Sequence, residues 1–285
     1  MKKKAKMKPD KTKFIAYLSS YPPRECGIAT FTADLTNALD AKYNPAVKST
    51  IIALNENPST IYNYDQKVTG EIPATELPYY VALAKRINND DNIKIVNIQH
   101  EFGLFGGEWG DYLIPFLQTL EKPVIVSFHS VIPHPDKELK KVVSLISEKS
   151  HALIVMNKLS GEILEKDYGL PESKIRLIPH GIPSTTLDAP DNFKAKSKLK
   201  NKTVLSTFGL LSPDKGLEYV LRALPKIIKK FPNLIYLILG GTHPAIRKEH
   251  GESYRNFLVK EVDRLKIKNH VKFYNKFLSP DEIIQ

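Results

Sequence analysis

Apolar residues recur along this chain in two rhythms. Short runs rich in β-branched residues, as in strands buried within a parallel sheet, alternate with longer stretches whose apolar positions return every three or four residues, as in helices packed by one face. Lys13 to Ser20 predicts a first strand, and the loop Tyr21 to Gly27 leads into a helix with Phe31, Leu35, Ala38 and Leu39 on one face. A second strand ends near Leu54. The polar stretch Asn55 to Gly70 reads as a loop with one edge strand, and a helix follows near Tyr79 to Asn88. Strands are then predicted at Ile93 to Gln99, Pro123 to Phe128, His151 to Met156 (with a helix over Lys158 to Asp167) and Ile175 to Pro179. Strands separated by helices indicate βαβ units and a parallel sheet.

Periodicity fades between Ser184 and Lys202, a polar and charged stretch that reads as a link between domains. A second alternation follows. It runs through a buried strand at Thr203 to Phe208, a helix to Lys230, a strand at Leu234 to Leu239, a long helix to about Lys266, and a strand at His270 to Phe273. Another helix starts at Ser279. The fold class expected is α/β with two Rossmann-like domains, the second partial. About three strands stand where a doubly wound sheet has about five or six, so the expectation is of a sequence incomplete at its C-terminus. The divisions are a basic tail over 1–12, domains over 13–185 and 203–285, and a link over 186–202.

Composition changes this picture little. The 285 residues are 42% hydrophobic and 26% charged, an ordinary globular balance. The single cysteine, Cys26, leaves no partner for an intramolecular disulfide and fits a reducing cytoplasm. No apolar run approaches the length of a membrane span. The basic start Met1 to Lys8 is followed only by the apolar segment Phe14 to Leu18, too short for a signal peptide. The net charge of +11 suits phosphorylated substrates, anionic lipid or nucleic acid. Nucleic acid is the weakest of these, because the basic residues are not interleaved with aromatics and no recognised module is present.

The densest chemistry follows Phe208. Gly209 breaks the strand, Ser212 and Pro213 have the chemistry of a helix cap followed by its first residue, and Leu217, Val220, Leu221, Leu224, Ile227 and Ile228 share a helical face. A strand, tight loop and helix in this order form a ready place for an anion. Lys215, expected in the first helical turn, opposes the helix dipole and is better explained by an anionic ligand than by helix stability. A solvated lysine is the plainer alternative. His100, His129 and His180 directly follow predicted strands, and His243 follows Gly240, Gly241 and Thr242. Ionisable groups at strand ends are what the rim of an active site looks like. None of these histidines has the close spacing that preforms a metal site, so no metal is expected. No phosphate-binding P-loop, nucleophile elbow or paired Cys-x-x-Cys occurs. Cys26 reads as a small loop thiol, Asn89 to Asn92 as a polar turn, and Trp109 as a core or helix-face residue.

Phe208-Gly-Leu-Leu-Ser-Pro-Asp-Lys-Gly216 resembles the Gly-Arg-Leu-x-x-Glu-Lys-Gly segment of family 4 glycosyltransferases, with Leu210 at the arginine position. Leu177-Ile-Pro-His-Gly-Ile182 resembles that family's hinge segment, with His180 in place of asparagine, and Val126-Ser-Phe-His129 its strand end with the active-site histidine. The resemblance runs from Lys13 onward. It implies a GT-B type fold, two Rossmann-like domains facing across a cleft, and transfer of a hexosyl group from a nucleotide diphosphate sugar to an acceptor hydroxyl with retention. His129 and Lys215 would be catalytic. Gly27, Gly209, Lys215, Gly241 and Thr242 would meet the donor, and Arg24, His100 and Glu101 would line the acceptor side. The nucleotide sugar would be a co-substrate, with no cofactor. A saccharide or lipid-linked acceptor, and contact with the inner face of the membrane through the N-terminal lysines, are further expectations. The family's two glutamates seven residues apart have no counterpart before Gln285, which leaves a non-catalytic or truncated nucleotide-sugar-binding protein as the alternative.

Overall fold

The computed structural model describes residues 12–182, 190–278 and 282–283. The chain divides into two compact units, Met1–Ile182 and Pro183–Gln285. The expected basic tail over 1–12, apart from Thr12, lies outside the described residues, as do 183–185 at the end of the first expected domain, 186–189 of the expected link and the helix start at Ser279.

The first unit contains β1 (Lys13–Ser19), α1 (Gly27–Tyr43), β2 (Val47–Asn55), β3 (Val68–Pro73), α2 (Leu77–Asn88), β4 (Ile93–His100), α3 (Leu113–Thr119), β5 (Val124–Phe128), α4 (Lys137–Lys149), β6 (Ala152–Val155), α5 (Lys158–Lys166) and β7 (Ile175–Leu177). Its strands pair in parallel in the order β3-β2-β1-β4-β5-β6-β7. The order reverses between β1 and β4. That reversal is the switch point where open α/β sheets take ligands beyond the carboxyl ends of their strands.

Helix spacing explains the covering layers. α2 buries Tyr80, Leu83, Ala84 and Ile87, a stripe at the 3.6-residue period. α4 begins where the Asp136 carboxylate accepts the Leu139 N–H at 2.8 Å, and buries Leu139, Val142, Val143 and Ile146. α1 departs from the expected face. Ala29, Thr32 and Thr36 are its buried residues, whereas Ala38 is exposed and Phe31, Leu35 and Leu39 are only partly covered. Small side chains let the helix lie close on the sheet, and the buried Thr32 hydroxyl is satisfied by the Ile28 carbonyl at 2.8 Å and the Ser19 hydroxyl at 2.7 Å.

The second unit contains α6 (Pro190–Lys196), β8 (Thr203–Phe208), α7 (Leu217–Lys230), β9 (Leu234–Leu239), α8 (Pro244–His250), α9 (Ser253–Arg264) and β10 (Val271–Tyr274). The three strands pair in parallel in the order β10-β9-β8. Four expectations are corrected here. The stretch read as link carries α6, and Leu199 just after it is buried against Ile235 and Leu237 of β9. β8 is not a buried strand: it pairs only with β9 among the described residues, and Leu205 and Phe208 are exposed. The long helix expected before Lys266 is two helices, α8 and α9, separated at Gly251 and Glu252. Finally, Pro213–Lys215 forms a single 3₁₀ turn, and the α-helix starts only after Gly216, whose φ of +62° stops that turn from running straight on. Lys215 therefore precedes the helix and does not lie in its first turn.

Candidate active site

In the first unit His100, Glu101 and His129 lie at the carboxyl ends of β4 and β5, beside the switch point, while Arg24 and Gly27 follow β1. His129 immediately follows β5. Its backbone N–H donates to the His100 carbonyl at 2.9 Å, and its Nε2 shares a hydrogen bond with Gln99 Oε1 at 2.8 Å. The ring stands edge-on to Phe31 at 4.9 Å, and Phe31 stands edge-on to His180 at 5.1 Å. Burial, with the neighbouring His180 adding to it, pushes the His129 pKa down to about 4. His129 is therefore a neutral imidazole near pH 7. Beside it, the Ser130 hydroxyl donates to Glu101 Oε2 at 2.5 Å and the Phe102 N–H donates to Glu101 Oε1 at 3.1 Å, so both oxygens of that side chain are engaged.

His100 is the clearest departure from expectation. It does not line a rim: it is wholly buried among Phe102, Phe105 and Phe128, with ring separations of 5.0, 5.6 and 4.8 Å. Alternation explains this, because Gln99 and His100 are successive strand residues and point to opposite faces. Both His100 ring nitrogens, and Trp109 Nε1 near the same aromatic group, lack hydrogen-bond partners among the described residues. Burial drives the His100 pKa down to about 3. Arg24, in the loop before α1, is tied to the carboxyl end of β2. It donates to the Leu54 carbonyl at 2.9 Å and pairs with Glu56 at 2.9 Å, and Tyr62 donates to the same Glu56 at 3.0 Å. Gly27 opens α1, and a Cβ placed there would meet nothing within 4 Å, so no packing inside the protein requires a glycine.

In the second unit the loops after β8 and β9 are laced together. The Leu211 N–H donates to the Gly241 carbonyl at 2.8 Å and the His243 N–H returns to the Leu211 carbonyl at 2.9 Å. Gly240, at φ +144°, lies so close to the Gly209 carbonyl that an added Cβ would sit 2.0 Å from its oxygen. Thr242 is buried and its hydroxyl donates to Glu252, which Arg255 also pairs at 3.0 Å. Lys215 is half-exposed, with Asp214 Oδ2 at 4.0 Å. At the start of α7 the Leu217 N–H donates to the Tyr254 hydroxyl at 3.1 Å, which donates to Glu218 at 2.6 Å. The helix start thus already holds a carboxylate.

Sequence reading missed Asn97, Gln99 and Phe31 as site residues. The signal existed for the first two: polar residues at alternate positions of an otherwise apolar buried strand. Phe31 carried none, since an aromatic at helical spacing reads as core. Among the described residues no group of histidine, cysteine or carboxylate side chains is placed to hold a metal ion, and no helix is long and apolar enough to cross a membrane.

Solved structures share this fold. A glycosyltransferase from Rickettsia africae superimposes with a TM-score of 0.67 at 17% identity, covering 95% of this chain and 70% of its own. Alr3699/HepE from Anabaena, solved with UDP and glucose, gives 0.64 at 14% identity, covering 94% and 70%. WaaG, a glycosyltransferase involved in lipopolysaccharide biosynthesis, gives 0.57 at 12% identity, covering 92% and 70%. Identities this low establish the GT-B type fold alone. No curated protein matches the chain by sequence. Two family models do. Residues 188–285 match glycosyl transferases group 1, and residues 26–185, more than half of the chain, match glycosyltransferase family 4. The chain therefore belongs to glycosyltransferase family 4.

Proposed function

We propose that this protein transfers a hexosyl group from a nucleotide diphosphate sugar to an acceptor hydroxyl, with retention at the anomeric carbon. The observation that carries the reading is the placement of His129, neutral and partly covered, at the carboxyl end of β5 beside the switch point of the first sheet. Support comes from the family membership and from the UDP held by the related fold of HepE. The sugar carrier is a co-substrate, and no cofactor is invoked.

The chemistry requires stabilisation of a departing nucleoside diphosphate. Lys215 supplies positive charge, while the backbone at Gly241 and Thr242 supplies N–H groups; the Gly209 N–H is already given to the Leu239 carbonyl, so that glycine offers close approach only. Gly27 leaves open space where a phosphate can near the backbone of α1. A well-placed donor of this kind contributes about 3 kcal/mol to the transition state. His129 hydrogen-bonds the sugar near the reacting carbon, and Glu101 and Arg24 serve the acceptor side. His100, sealed in the core, is not assigned a substrate contact. On this reading residues 13–185 form the acceptor-side domain and 203–285 the nucleotide side. The acceptor is a saccharide or a lipid-linked sugar, and the N-terminal lysines draw the protein to the inner membrane face from the cytoplasm.

Transfer or hydrolysis measured with UDP- and GDP-sugars tests this. Lys215→Ala and His129→Ala are each expected to lower turnover at least about tenfold, and unaltered rates in both would overturn the roles. One observation favours a second reading, binding without turnover. Leu210 stands at the arginine position of the resembled motif, and the charge of Lys215 is shared with Asp214. Thermal stabilisation by nucleotide sugars without any transfer would establish that alternative.

A further inference from the structure

We infer that Asn97 and Gln99 fix the tautomer of His129, so that Nε2 carries the proton and Nδ1 is left as a bare acceptor for a sugar hydroxyl. This deepens the proposed function and rests on His129 being a donor-site residue.

A glutamine amide has one donating end and one accepting end. Gln99 Nε2 donates to Asn97 Oδ1 at 2.6 Å, which commits the amino end. The other end, Oε1, lies 2.8 Å from His129 Nε2. A carbonyl oxygen only accepts, so the ring nitrogen facing it must be the protonated one. Flipping Gln99 alone would set two amide oxygens against each other at that 2.6 Å separation. Strand geometry holds the chain of contacts in place. Asn97 and Gln99 are two apart on β4 and share a face, and Gln99 is in register with Ser127, two residues before His129 on the neighbouring strand. Gln99 is wholly buried and Asn97 nearly so, which limits competition from water.

The ionisable groups near the ring are His180, at 6.2 Å between centroids, His100, which is hydrogen-bonded to His129 through the backbone, and Glu101, which Ser130 and the Phe102 N–H hold. Both oxygens of the Glu101 carboxyl group are engaged by those partners, and burial with the neighbouring His180 lowers the pKa of the imidazole to about 4, which keeps it neutral near pH 7. A neutral ring with a defined tautomer discriminates: its bare nitrogen accepts from a hydroxyl and gives nothing to a phosphate oxygen. Gln99 and Asn97 are thus positioning residues, acting through His129.

The test is a long-range ¹H–¹⁵N correlation spectrum of the full chain with ¹⁵N-labelled histidine near pH 7, the His129 signals being assigned by their loss in His129→Ala. The native protein is expected to show the Nε2–H form, and Gln99→Leu and Asn97→Leu are each expected to show a mixture of the two neutral forms. Gln99→Leu should also lower kcat about tenfold while leaving the donor KM nearly unchanged. An Nδ1–H form in the native protein, or an unchanged tautomer in both variants, overturns the inference. If the leucine variants fail to fold, Gln99→Met, which keeps the side-chain length and removes the amide, takes their place, with the same mixture expected and an unchanged tautomer overturning the inference. The spectrum needs no nucleotide sugar, so a protein with the Nε2–H form but no transfer supports the inference about the tautomer and overturns the proposed function instead.

Discussion

Two histidines at neighbouring strand ends show how position decides the use of one residue type. His129 keeps a polar partner in Gln99, while the His100 ring has none among the described residues and is packed among three phenylalanine rings. The cost of that burial falls on acid stability. An unfolded histidine titrates near 6.5, but His100 holds its proton only below about 3 in the folded chain. Between those values the unfolded chain binds a proton that the folded chain does not. Its contribution is therefore fully present above pH 6.5 or so and is lost as pH falls, at about 1.4 kcal/mol per pH unit, until pH nears the folded value. His129 adds to the loss down to about pH 4. Urea midpoints measured from pH 7 to pH 4 should fall steeply in the native protein. His100→Phe, which suits the aromatic surroundings and removes two unpaired nitrogens, should flatten the profile; an unchanged slope would refute the assignment.

At the scale of elements, the β8 and β9 loops form one construction held by Gly209 and Gly240. Gly240→Ala is expected to destabilise the protein by about 3 kcal/mol, because its backbone angle disfavours a side chain and the new carbon would collide with a carbonyl rather than a movable side chain. Chemical denaturation measures this, and a loss below about 1 kcal/mol would show that the loops can separate freely. Most elements here were legible in the sequence because their apolar periods are clean, as in α2 and in β9, and the strand–helix alternation announced the parallel sheets. What was hidden has a local physical cause in each case. The stripe of α1 is made of alanine and threonine, so hydrophobicity pointed to the wrong face. The helix break at Gly251 and Glu252 is two residues inside an otherwise helical pattern. The exposure of β8 depends on what lies beside it, which an apolar run does not reveal. The same applies to the site: histidines at strand ends were readable, but their opposite orientations needed the exact strand end, a boundary no periodicity defines.

For the whole molecule, the important fact is that each unit has its own apolar interior. In the first, one cluster including Leu18, Val96 and Val126 lies on one side of the sheet and Tyr17, Ile51 and Ala53 belong to another. In the second, β9 divides the interior by itself: Leu234, Tyr236 and Ile238 belong to one cluster, Ile235 and Leu237 to the other. It is also the strand with a paired neighbour on each edge. Such a strand cannot be exposed without opening both clusters and both ladders together. Its amide protons should therefore exchange with solvent more slowly than those of β8 or β10, and only through unfolding of the entire unit. Deuterium uptake followed by mass spectrometry would show this as a protected segment at Leu234–Leu239, and uptake as fast as in β8 would contradict it. The second unit then has a kinetic keystone: a six-residue strand whose release, rather than the fraying of any loop, sets how long the unit survives.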